Sequence, residues 1–121
     1  MARNEGVDSE WALTSEGHLA DAQADAGMCA EALALRRNLM PRLRRVHGDT
    51  HVNTLQGWVF LAELILKQGP DGIDEARAIR DAVLPLCTRI LGPEHHITKH
   101  LAKPDFLTDR DVGRSLGTEA N

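Results

Sequence analysis

The 121-residue chain has no tyrosine, two phenylalanines and two tryptophans, an aromatic content of 3%. Sheets draw on aromatic and β-branched residues, so this supply argues against a β-rich fold. Cysteine is as scarce: Cys29 and Cys87 show no C-x-x-C spacing, which excludes a disulfide framework or a cysteine-built zinc site. Neither a secretory leader nor an apolar run of spanning length occurs, which predicts a cytoplasmic protein with no membrane partner. The Gly-x-Ser-x-Gly, His-Glu-x-x-His, phosphate-loop and dinucleotide fingerprints are all missing, so no catalytic residue, metal or cofactor is assigned. The net charge of -4 argues against nucleic acid as the main partner. Lysine is rare, three against eleven arginines, and with fifteen alanines this points to a GC-rich bacterial coding sequence.

What remains is a chain rich in alanine and leucine, 42% hydrophobic and 26% charged, suited to one domain of close-packed helices. A self-match organises it. At an offset of 44, Pro41 falls on Pro85, Arg45 on Arg89, Gly48 on Gly92, His51 on His95 and Thr54 on Thr98. Val46 pairs with Ile90, and Gly6 to Trp11, 42 residues before Gly48, reads as a degenerate copy of the junction. Such a period marks a helical repeat.

The apolar spacing predicts five helices. The first starts near Glu10, capped by Ser9, and stops at Gly27. The second covers Met28 to about Val46, with Ala32, Leu35, Leu39 and Leu43 in one stripe and an expected kink or break at Pro41. The third, about His51 to Gln68, is apolar nearly all round and therefore central. The fourth runs from Ile73 to about Leu91, with Pro85 in the place of Pro41. A short fifth spans about His95 to Lys103, before Pro104. Residues 1–5 read as frayed and 105–121 as a flexible tail whose Phe106 and Leu107 dock onto the last helix.

Leu91-Gly92-Pro93-Glu94-His95-His96-Ile97-Thr98 closely resembles the Leu-Gly-Pro-Asp-His-Pro-Asp-Thr junction of tetratricopeptide repeats of the kinesin-light-chain type. His47 to Thr54 matches more loosely. Leu61-Ala62, Gln68-Gly69 and Asp74-Glu75-Ala76 occupy the places of the family's Leu-Ala, Gln-Gly and Glu-Glu-Ala, and Gly27 with Glu31-Ala32 repeats them earlier. The resemblance covers roughly residues 6–103. It implies an α-α superhelix of antiparallel hairpins in an all-α domain over 1–104: about 2.5 repeats, approximately 6–47, 48–91 and a partial 92–104. It also implies a protein-interaction module, not an enzyme, whose first, third and fifth helices line a concave groove for a peptide or helix of a partner. His18, Gln56, Phe60, Glu63 and Lys67 are the groove residues by position in the repeat. The family's paired groove asparagines are replaced by Gly17-His18 and Val59-Phe60, which points to an apolar groove suited to an amphipathic helix, a neighbouring subunit or the chain's own tail.

Two side-chain groups offer other readings. His47, His51, His95, His96 and His100 cluster at the junctions, and His96 with His100 would share a helix face. They define the alternative of a small metal- or thiol-dependent enzyme, although no cysteine or Glu-x-x-His accompanies them. Both cysteines read as small buried hydrophobes. Arg36, Arg37, Arg42, Arg44 and Arg45 make the second helix basic, beside a first helix that is acidic. Local charge compensation accounts for them, and a strip for phosphate, nucleic acid or an acidic protein is the sharper alternative. With fewer than three full hairpins, the stack needs its ends covered, by a second copy through the apolar third helix or by the docked tail.

Overall fold

The computed structural model describes residues 9–104, 106 and 107. The expected frayed start, the junction copy over 6–8 and the tail over 108–121 lie outside the described residues. The fold is all-α: α1 Glu10–Asp25, α2 Cys29–His47, α3 Val52–Lys67, α4 Ile73–Ile90 and α5 His96–Ala102, with a 3-10 turn at Pro70–Gly72. No strand occurs among the described residues. Each boundary falls within about a residue of the sequence expectation, and the differences are caps: His51, Gln68, Leu91, His95 and Lys103 flank helices rather than lie in them.

Local chemistry explains where each helix starts. Ser9 Oγ accepts the Ala12 amide at 3.1 Å, filling one of the four unbonded donors of a helix N-terminus. The two repeat histidines do the same work with a ring nitrogen. His51 Nδ1 accepts from Asn53 N at 3.0 Å and His95 Nδ1 from Ile97 N at 3.1 Å. Ahead of them Gly48 and Gly92 turn the chain at φ of 90° and 98°, in the left-handed region where a side chain is strained. The 44-residue match therefore repeats a turn and a cap.

Connections of three to five residues join successive helices, and each helix packs on its sequence neighbour. As expected, α3 is central, lying between α2 and α4 and touching α5. Leu55, Val59, Leu61, Ala62, Leu64, Ile65 and Leu66 are all buried on it. Leu39, Met40 and Leu43 of α2 meet them, with Val83 and Cys87 of α4 and Ile97 and Leu101 of α5 completing the core. The α2–α3 approach is close at Gly57, where a Cβ would come within 2.9 Å of Met40 Sδ. Phe106 and Leu107 are buried in the same cluster, as expected of residues docking past Pro104.

Of the kink or break expected at Pro41, no break occurs in α2, nor at Pro85 in α4; both helices continue through. Each proline lies on the exposed side, where the carbonyl it frees can turn to water, while the buried stripe holds the helix to α3. Most of the apolar circumference of α3 is covered within the chain by α2, α4 and α5, with Val52, Trp58 and Phe60 left partly exposed. Cys87 is buried and burial pushes its thiol pKa up, but Cys29, in the first turn of α2, is partly exposed.

Candidate functional site

Two depressions run end to end along α1 and α3 and share Asp21 and Phe60. The first, about 260 Å³, is lined by Thr14, His18, Arg36, Asn53, Gln56 and Phe60 among others. The second, about 320 Å³, lies among Asp25, Phe60, Glu63 and Lys67. All five residues assigned to the groove from repeat position thus line one cleft. His18 and Lys67 are exposed, and Gln56, Phe60 and Glu63 are half-buried.

The cleft is not apolar. Val59 turns into the core at 3% exposure, so it does not line the groove as its repeat position had implied. Arg36 lies across the Phe60 ring, its guanidinium carbon 4.8 Å from the centroid. The same guanidinium donates to Asp21 Oδ1 at 2.9 Å and to the Gly17 carbonyl at 3.2 Å. Asn53, Gln56, Thr14 and His18 add donors and acceptors along the wall. A more apolar depression lies between α2 and α4, over Trp58, Ile79, Ala82 and Leu86.

At the far end of the cleft Glu63 pairs with His100 of α5. The His100 ring meets Phe106 edge-on, centroids 5.5 Å apart, so the segment after α5 braces this pair from behind. His100 and Asp21 had not been assigned to the groove, although the repeat offset points to both. His100 stands 44 residues after Gln56, and Asp21 stands 42 before Glu63. The same offset of 42 relates His18 to Phe60 and Asp25 to Lys67. The cleft is therefore a ladder of equivalent positions from successive hairpins.

The arginines do not form one strip. Arg42 holds Glu16 of α1 through two bonds of 2.8 Å, and Arg36 holds Asp21, the compensation expected between α1 and α2. Arg37 instead reaches α4, where it binds both oxygens of Glu75 at 2.7 and 2.9 Å. That bidentate bond holds the Glu75 carboxyl below the usual carboxylate range and raises Arg37. Arg44 bonds to Asp49 at 2.7 Å, and Arg45 is exposed.

The histidines divide by junction. His47 stacks on His51 with centroids 4.3 Å apart, and His95 on His96 at 4.5 Å, while His51 and His95 are committed to capping. His100, paired with Glu63, belongs to the cleft instead of joining His96. Among the described residues no group of three or more His, Cys, Asp or Glu side chains is placed to hold a metal ion. No helix among them is long and apolar enough to cross a membrane. Comparison with family models, curated proteins and solved structures returned no match.

Proposed function

We propose that the chain is a tetratricopeptide-like interaction module that binds an extended segment of a partner protein in the cleft along α1, α3 and α5. The observation that carries this reading is the ladder itself. Equivalent positions of successive hairpins (Thr14 and Gln56; His18 and Phe60; Asp21 and Glu63) line two adjoining depressions, and His100, the equivalent of Gln56, bonds to Glu63 at their edge. A repeating row of amides, imidazoles and carboxylates offers an extended backbone regularly spaced donors and acceptors. Recurrence of the histidine cap and the glycine turn at the 44-residue offset supports the family resemblance. Cytoplasmic residence and a bacterial source, both read from the sequence, belong to the same proposal. Binding, not catalysis, is its activity.

A random peptide library displayed on phage tests it. Peptides selected on the wild-type chain are measured against Gln56→Ala and Lys67→Ala, with Thr88→Ala on the exposed side of α4 as control. Both cleft variants should lose affinity by about tenfold, the value of one good polar contact, and the control should not. Peptides that bind all four chains alike would refute the cleft.

A further inference from the structure

The inward side of α1 is apolar, and the opposite side sets Trp11, Leu19 and two alanines beside Ser15 and His18. The inward side is Ala12, Leu13 and Ala20, all buried, with α2 packed against the helix. The outward side carries Trp11, Ser15, His18, Leu19, Ala22 and the capping residue Ala26, every one exposed. At the helical repeat these six positions fall within an arc of about 100°. Trp11 at 78% and Leu19 at 50% are the two most exposed large apolar side chains described. No carboxylate or guanidinium interrupts the arc: Glu10, Asp21 and Asp25 lie along one edge and Glu16 beyond the other. At the opposite end of the fold, Phe106 and Leu107 already cover α5.

We propose that this face is a homodimer interface, in which α1 pairs antiparallel with α1 of a second copy about a two-fold axis passing between positions 18 and 19. The arc is self-complementary in that register. Trp11 lies over Ala26 of the second copy, Ser15 over Ala22 and His18 over Leu19, so the largest side chain meets one of the smallest, twice. An isologous contact of this kind closes at two copies, and covering of the α5 end keeps the chain from extending into a fibre. The pairing covers His18, at the rim of the cleft, and leaves Asp21, Gln56 and Phe60 open on its flank. A helix of sixteen residues is about 24 Å long, which makes this a small interface of the weak, transient class. The two-fold also brings Asp25 of one copy near Glu10 of the other, so added salt tightens the dimer by screening their repulsion.

Sedimentation velocity on the full chain from about 1 to about 500 µM brackets the affinity of such an interface. The mass should rise toward twice 13.3 kDa, while Trp11→Glu and Leu19→Glu, both at exposed positions, stay monomeric with unchanged helical circular dichroism. In a Cys29→Ser background, an equal mixture of Ser15→Cys and Ala22→Cys chains should form a mixed disulfide that neither forms alone. A wild type that remains monomeric throughout overturns the proposal, as does a dimer that survives Trp11→Glu or identical-chain disulfides as abundant as mixed ones. In a Trp58→Phe background, a monomer whose Trp11 resists acrylamide quenching would give the face to the chain's own residues and overturn it too.

Discussion

Thr54 and Thr98 occupy the same place in the repeat, are both buried, and should respond to the same substitution with opposite sign. Thr54 is fully buried and its hydroxyl donates to the Leu43 carbonyl at 3.5 Å. The corresponding carbonyl for Thr98 is that of Cys87, 44 residues on, but it already accepts the Leu91 and Gly92 amides at 2.9 and 3.1 Å. At the first junction the Gly48 amide goes to Arg44 instead. Thr98 Oγ1 is consequently buried with no partner among the described residues. A buried hydroxyl left unpaired costs about 1–3 kcal/mol. Thr98→Val exchanges it for a methyl of nearly the same size and should stabilise the fold by about 1 kcal/mol. For a chain of this length that is a rise in Tm of about 4 °C. Thr54→Val loses a long hydrogen bond and should cost about 0.5–1 kcal/mol. Urea unfolding followed by circular dichroism measures both, with an unchanged m-value confirming that only stability moved. A lower midpoint for Thr98→Val, or equal shifts for the two variants, would refute the account of the occupied carbonyl.

Further predictions rest on single contacts. His51→Ala should destabilise by about 1 kcal/mol through loss of the α3 cap, and His51→Asn should restore most of it; equal midpoints for Ala and Asn would show that the ring caps nothing. Arg36 is a buried cation held chiefly by Asp21, so Asp21→Ala should cost more than Arg36→Met, which removes the charge and keeps the packing; the reverse order in urea would contradict that reasoning. Burial raises the Cys87 thiol pKa, whereas the unfolded thiol ionises near about 8.5. The native state then holds the proton longer, and its contribution is complete below the unfolded value and lost as pH rises through the folded one. Cys87→Ala should flatten that alkaline decline, and a disulfide-exchange reagent should label Cys29 well before Cys87. Glu75 carries the opposite shift, so its contribution is present at neutral pH and lost as pH falls through the depressed value. With the pair about half exposed, Glu75→Gln should cost under about 1 kcal/mol in urea at neutral pH, and a larger loss would mean the pair is shielded from water.

The helices and their ends were legible because their causes are local. A serine or histidine before an apolar stripe, a glycine after it and a 3.6-residue period act within one or two turns of chain. The family resemblance extended that reading to the five cleft positions, because equivalent residues of stacked hairpins share a face. That Pro41 and Pro85 do not end their helices has a physical reason. The lost amide is a local penalty, but the buried stripe of Leu39, Met40 and Leu43 against α3 outweighs it, and that stripe has meaning only once α3 is in place.

Pairing across helices followed a different logic. Composition and periodicity determined by themselves that the chain is all-α, that α3 is its centre and that basic α2 lies beside acidic α1. Only the tertiary structure decided that Arg37 would leave α1 for Glu75, that Arg36 would lie over Phe60 and make the cleft polar, and that Glu63 would meet His100 thirty-seven residues away. Long side chains choose among several partners at similar cost, so their choice depends on the separation and rotation of whole helices. Those are set by packing at contacts such as Gly57 on Met40, which no local pattern encodes.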